Sequence, residues 1–268
     1  MTASQSKQLK FRRKFKSFSS LDYHDVIVSR DDLELLTGPF WINDVIISFV
    51  FEYYRQEIYA QHDSLAFLPP DFIQLIKLTD ETDSLSFINS LDLFDKEIIF
   101  LPINDHDQDT EGGTHWSLLV YFQSDNKFLH YDSQDNSCNF DQARIVAERL
   151  APVLVVPKQK DVSTRVGRRS SQNHQIIGSF EDFPKQENSY DCGLYVIMAV
   201  TIISENFRNP NCGINVPDIT QKSIDVLRDQ IYKTIEIKIN AKNQVKDGDF
   251  TFKLYKKFSK DGNFFLNF

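Results

Sequence analysis

Cysteine is scarce in this sequence, and so is any apolar run long enough to cross a bilayer. The three cysteines are Cys138, Cys192 and Cys212. An odd set cannot pair completely, and their spacing fits no zinc pattern. A disulfide framework is not expected, and nothing implies a metal or a cofactor. The longest apolar run, Leu194 to Ile203, is about half of the roughly 20 residues that a spanning helix needs. No apolar segment follows the basic N-terminal residues as a secretory signal would require. These absences lead us to expect a soluble protein of the cytoplasm or nucleus, with no membrane partner. No internal repeat is found either.

Acid is missing from the first 21 residues, which hold Lys7, Lys10, Arg12, Arg13, Lys14 and Lys16. That stretch, rich in Ser, reads as a disordered basic tail. Its composition also permits a nuclear-import patch or a mitochondrial presequence. The formal net charge of −8 therefore conceals a tail of +6 and a remainder of −14. Such an acidic body attracts a basic protein partner and repels nucleic acid.

What is present is enough apolar residue, 41% of 268, for one substantial core or two small ones. From Asp44 to Tyr59 the positions Val45, Ile46, Phe49, Val50, Tyr53 and Tyr54 form a helical stripe, which Asn43 and Asp44 can cap. Asp71 to Leu78 reads as a short helix after Pro69 and Pro70, and Glu97 to Pro102 as a buried strand. His115 to Phe122 and Phe128 to Tyr131 read as a hairpin around Ser124 to Lys127. A helix over Asp141 to Leu150 and a short strand over Leu154 to Val156 follow, then a polar loop at 158–178. Asp191 to Phe207 is apolar nearly all round and reads as a core helix. Ser223 to Lys238 reads as another helix. Residues 241–268 alternate Phe with Lys and Asn, as an edge strand or a docked tail would.

A cysteine nucleophile needs thiolate character, a base and donors for the oxyanion that forms on attack. Cys192 opens the core helix, where unpaired N–H groups and the helix dipole favour a thiolate. Gly193 after it leaves room for a substrate backbone. Alone, Cys192 reads equally as a buried structural cysteine. His115 and Asp132 lie at the open end of the hairpin. With a turn centred on Asp125 and Asn126, Asp132 faces Leu119, on the same strand face as His115 but ~13 Å along it. A histidine held by a carboxylate keeps one tautomer and is stabilised as imidazolium. Separately, His115 reads as a half-exposed strand-end residue, as do His24, His62, His106, His130 and His174, and Asp132 as a turn acid. Gln186, six residues before Cys192, can supply an oxyanion donor.

Together these residues resemble the ubiquitin-like-protein-specific (Ulp, or sentrin-specific) cysteine proteases, whose catalytic order is His, Asp, Gln, Cys. The motifs that carry the resemblance are FWINDVIISFVFEYY at 40–54, GGTHWSLLVYF at 112–122, FLHYDS at 128–133 and QENSYDCGLYVI at 186–197. It extends from about Leu21 to about Lys238. The resemblance implies an α+β, papain-like fold of the Ulp type, with a central mixed or antiparallel sheet and a buried helix starting at the catalytic cysteine. It divides the chain into a basic tail at 1–21, a protease domain at 22–238 carrying the 158–178 loop as an insertion, and an extension at 239–268. The long approach from Asn104 to Gly113 and the Asn-Ser-Tyr-Asp before Cys192 are similar to the deneddylase branch, which acts on the Nedd (also called Rub) modifier. The resemblance further implies that Trp41 and Trp116 form a narrow tunnel for a Gly-Gly tail. It places Asn104 and Asp105 in a mobile loop over that tail and has Asp44 grip it. Read without it, the two Trp are core aromatics and Asp44 a helix cap.

The implied activity is hydrolysis after the C-terminal Gly-Gly of a Nedd-type modifier, in precursors or on lysine side chains, by a monomeric enzyme. Rival readings are a Sumo or ubiquitin protease of the same fold, a cysteine-dependent acyltransferase, or a module that binds the modifier without cutting it.

Overall fold

The computed structural model describes residues 20–80, 87–108, 112–135, 137–154 and 177–246. In chain order its elements are β1 (Ser20–Tyr23), β2 (Val26–Ser29), α1 (Arg30–Glu34), α2 (Asp44–Tyr53), β3 (Leu65–Phe67), α3 (Pro70–Leu78), β4 (Ile98–Asn104), β5 (Trp116–Phe122), β6 (Lys127–Tyr131), α4 (Asn139–Leu154), β7 (Ile177–Ser179), α5 (Cys192–Arg208) and α6 (Gln221–Lys246). By contacts the chain divides into two compact units, one continuous at His62–Phe183 and one built from Met1–Gln61 with Pro184–Phe268.

The continuous unit is a five-stranded sheet in the order β3-β4-β5-β6-β7. The β4-β5 and β5-β6 pairs are antiparallel, and β3 and β7 join the edges in parallel. α3 and α4 close a core with one sheet face, through Ile73, Ile76, Ala143, Val146 and Leu150 against Ile99, Leu101, Leu119 and Phe128. Phe100, Leu118 and Val120, on the alternate positions, are buried as well, which is why β4 reads as an unbroken apolar run. Pro102 sits inside β4 opposite Leu118. It is tolerated because β3 pairs only with residues 98–100, so no strand on that side needs its missing N–H.

The expected hairpin is present with a different register. Phe122 pairs with Lys127 and Leu118 with Tyr131, so the loop is Gln123–Asn126 and its centre lies one residue earlier than expected. Asn126 takes a left-handed φ of 52°, which its short polar side chain tolerates. The shift moves the pairing by two residues. Asp132, just past β6, then falls in line with Ser117 rather than Leu119.

In the discontinuous unit, β1 and β2 form an antiparallel ribbon. Ser29 and Asp32 make a capping box that starts α1. Asn43 caps α2 by accepting the Ile46 N–H at 3.1 Å. The helix ends in a wider turn, Tyr54–Ile58, so the stripe read to Tyr59 is helical almost throughout. α2 packs on α5, and the Tyr54 and Thr201 hydroxyls meet at 2.5 Å between them. α5 is buried along its first 13 residues, Cys192–Ser204.

Other expectations shift at their edges. Leu154 ends α4 instead of opening a strand, and residues 155–156 lie outside the described residues. Of the expected loop at 158–178, Ile177 and Gly178 belong to β7, and the rest lies outside the described residues. α6 continues beyond Lys238 to Lys246, through the start of the stretch read as an edge strand or tail. The rest of that stretch, from 247, and the basic segment as far as residue 19 are likewise outside the described residues, whereas Ser20 and Leu21 pair in β1.

Candidate active site

His115 is held by its backbone before its side chain is considered. It lies immediately before β5, where its N–H donates to Asp105 Oδ1 at 3.1 Å. Its carbonyl accepts the Asp105 N–H at 3.2 Å and Asn139 Nδ2 at 3.4 Å. The imidazole is 5% exposed. Its Nε2 stands 2.6 Å from Asp132 Oδ1. The ~13 Å separation expected along an ideal strand therefore does not exist. The two-residue register shift and the position of both groups just off the ladder remove it.

Asp132 has further partners. Its Oδ1 also accepts the Gln134 N–H at 2.9 Å, and its Oδ2 accepts the Ser137 hydroxyl. Burial pushes this carboxyl up, but the hydrogen bond and charge of His115, with Ser137 and Gln134, outweigh burial and hold it below the usual carboxylate range. The geometry is that of a histidine kept in one orientation and stabilised when protonated.

Behind this pair, His130 is 3% exposed and meets the Ser117 hydroxyl at 2.8 Å, while Asn139 Nδ2 donates to the same oxygen at 3.0 Å. His130 is thus not the half-exposed histidine that the sequence implied. It points into the core from mid-strand, where strand alternation sends it inward.

The loop before His115 is tied together. Asp105 accepts the Thr114 N–H at 2.7 Å and the Thr114 hydroxyl at 2.6 Å. Burial raises its carboxyl, and these bonds with that of His115 bring it below the usual range. Asn104 ends β4 opposite Trp116, and its Oδ1 accepts the His106 N–H at 2.9 Å. Lys77, reaching from α3, donates to the Asn104 carbonyl at 2.7 Å and also to the His106 carbonyl. Gly113 has a φ of +99°, and a Cβ there would lie 1.9 Å from Asn104 Oδ1. Trp116 is half-buried.

In the other unit, Cys192 is the first residue of α5, is 2% exposed and forms no disulfide. The Leu194 and Tyr195 N–H groups donate to the Asp191 carbonyl at 2.8 and 3.0 Å, which winds the first turn. Gln186 is half-buried, and its Nε2 donates to the Asn188 carbonyl at 2.6 Å. Asn188 Oδ1 accepts the N–H groups of Tyr190 and Asp191, both at 3.0 Å. Asn188 therefore shapes the turn between Gln186 and the cysteine, a role that its Asx-turn chemistry makes readable in sequence but that we did not anticipate. Trp41 is 49% exposed and donates its indole N–H to the Ser189 carbonyl. It is not a core aromatic. Asp44 is an exposed first-turn residue of α2, and Asn43 alone caps. Ser137, Asn139 and Thr114 also went unnoticed, because isolated polar residues in loops carry no periodic signal.

Comparison with known proteins gives a consistent result. The model of the Ulp1 protease family, C-terminal catalytic domain, matches residues 40–242. Sentrin-specific protease 8 of Homo sapiens is 39% identical over 189 residues, covering 70% of this chain and 82% of that protein. NEDD8-specific protease 1 of Arabidopsis thaliana is 30% identical over 228 residues, covering 81% of this chain and 92% of that protein. Among solved structures, the C-terminal Ulp1 protease domain in complex with Smt3, the yeast orthologue of SUMO, aligns with a TM-score of 0.59. Its identity is 16%, and the alignment covers 85% of this chain and 92% of that one. That likeness bears on the fold alone, and it agrees with the α+β Ulp-type architecture expected from the motifs. The chain belongs to the Ulp1 family of cysteine proteases, on the branch whose members are named sentrin-specific protease 8 and NEDD8-specific protease.

Proposed function

We propose that the chain cleaves the bond after the C-terminal Gly-Gly of a Nedd-type modifier, in a precursor or at a lysine side chain. In this reading His115 takes the proton from the Cys192 thiol. The thiolate attacks the carbonyl carbon of the terminal glycine, and the oxyanion is held by Gln186 and backbone N–H groups at the start of α5. The His115 imidazolium then protonates the leaving amine, and a thioester remains. Water, deprotonated by His115, attacks the thioester and releases the modifier with a free carboxylate. Peptide and isopeptide bonds are equivalent for these steps.

The single observation that carries the chemistry is the 2.6 Å contact of His115 Nε2 with Asp132. It holds one ring nitrogen on the carboxylate, and in this reading Nδ1 exchanges the proton with Cys192. The choice of modifier is supported by the names of the relatives in Arabidopsis thaliana and Schizosaccharomyces pombe, which are called NEDD8-specific. In the same reading Trp41 and Trp116 confine the Gly-Gly tail, while Asp44 and the Asn104–Asp105 segment contact it.

The test is a comparison of initial rates for the protein and its Cys192→Ala variant on fluorogenic C-terminal derivatives of the Nedd, ubiquitin and Sumo modifiers. Cleavage of the Nedd derivative by the unmodified protein alone is the expected result. Preference for another modifier would overturn the modifier assignment, and equal rates for the two proteins would overturn Cys192 as nucleophile.

A further inference from the structure

Asp191, the residue before Cys192, is a carboxylate that is only 1% exposed. It occupies the N-cap position of α5, where an aspartate ordinarily turns its carboxylate onto the first N–H groups of the helix. Here it does not. Its backbone lies at φ −96° and ψ 2°, and its side chain makes no capping bond. Oδ1 instead accepts Arg228 Nη2 at 2.6 Å. Oδ2 accepts Gln221 Nε2 and Asn188 Nδ2, each at 2.7 Å.

The donors are themselves fixed. The Arg228 side chain is 11% exposed. Its Nη1 donates to the Leu35 carbonyl at 2.9 Å, and its guanidinium lies 5.8 Å from the centre of the Tyr190 ring. Gln221 and Arg228 are two helical turns apart and share one face of α6. Ile224, Leu227 and Ile231, all buried, anchor the same helix between and beside them. Two of the three partners of Asp191 thus come from one helix, and the third, Asn188, from the turn before the cysteine.

We propose that Arg228, assisted by Gln221, is a positioning residue for Cys192. By drawing the Asp191 carboxylate away from the start of α5, the pair keeps for the reaction's oxyanion the N–H groups there that the Asp191 carbonyl does not take, where a capping carboxylate would compete for them. It also balances a negative charge that would otherwise sit beside the thiolate. The inference rests on Cys192 being the nucleophile. Its expected kinetic signature is a loss in turnover with little change in modifier binding, because in this reading both side chains act through Asp191 rather than on the modifier.

The test uses the full chain with Arg228→Gln, Arg228→Lys and Gln221→Ala. Two quantities are read: kcat and KM on the Nedd derivative, and the rate of Cys192 alkylation by iodoacetamide at fixed pH, located by peptide mass spectrometry. For Arg228→Gln we expect kcat to fall by about tenfold to a hundredfold, with KM within about threefold and alkylation slowed. Arg228→Lys should recover part of the loss, since it restores the charge but not the two-armed donor. Gln221→Ala removes a neutral donor and leaves the ion pair, so it should fold whether or not Arg228→Gln does, and lose about threefold in kcat. Folded variants with kcat and alkylation rate within about twofold of the unmodified protein overturn the proposal. So does a loss that appears only as a lower Tm. If the unmodified protein cleaves no modifier, the functional reading fails by itself, and the alkylation rates still decide this one.

Discussion

Replacing Asp132 by Asn separates charge from shape around the proposed base, His115. Asp132 Oδ1 accepts two N–H donors, those of His115 and Gln134, and Oδ2 accepts the Ser137 hydroxyl. An asparagine can keep its oxygen toward the two N–H groups and turn its NH2 toward Ser137, whose hydroxyl rotates to accept. The geometry then survives, and the negative charge does not. With charge centres about 4 Å apart and an effective dielectric of about 20, the lost stabilisation of the imidazolium is about 4 kcal/mol. That corresponds to roughly a thousandfold in rate. The assay is kcat on the fluorogenic Nedd derivative, with the enzyme concentration fixed by active-site titration and folding checked by thermal denaturation. A folded Asp132→Asn protein with kcat within about tenfold of the parent would refute the argument that this carboxylate stabilises a charged histidine.

Two further predictions concern the loop before His115. Gly113→Ala forces a side chain onto a positive φ and against Asn104 Oδ1, so a loss of about 1–3 kcal/mol in urea denaturation is expected; an unchanged midpoint would contradict it. Burial drives the Lys77 ammonium down to about 8, against the pull of Asp105 and Asp107. Between about pH 8 and the ordinary lysine range the unfolded chain holds a proton that the folded one has released, so this group makes the protein more stable as pH rises through that window. Lys77→Met should abolish that rise. Parallel stability curves for the two proteins from pH 7.5 to 9.5 would show the sign to be wrong.

The elements that were legible in sequence are those whose signal is local. The α2 stripe, the Pro69–Pro70 entry to α3 and the apolar α5 each declare their period or their boundary within a dozen residues. The hairpin was legible as an object but not in register, because the conformation of Asn126, rather than the composition of the strands, sets which residue faces which. The proposed catalytic residues were marked in sequence by three motifs, and only the fold explains how His115 and Asp132 come to touch. What escaped was the support around them. Asn188, Asn139, Ser137 and Arg228 act through a few hydrogen bonds made across loops or between elements. Such residues have the same local appearance as any solvated polar side chain.

The division of the chain also has a consequence for synthesis. His62–Phe183 emerges from the ribosome as one piece, with its sheet and both covering helices encoded in order, and it can close as soon as β7 is made. The segment before Gln61 cannot. Ile46, Ile47, Phe49 and Val50 of α2 are fully buried in the finished protein, and their own unit is completed only when α5 and α6 arrive after Pro184. At roughly 5–20 residues per second, that apolar helix waits on the order of ten seconds for its partners. Its exposure during that interval makes the N-terminal segment, rather than the sheet, the place where chaperone binding or aggregation of nascent chains should concentrate.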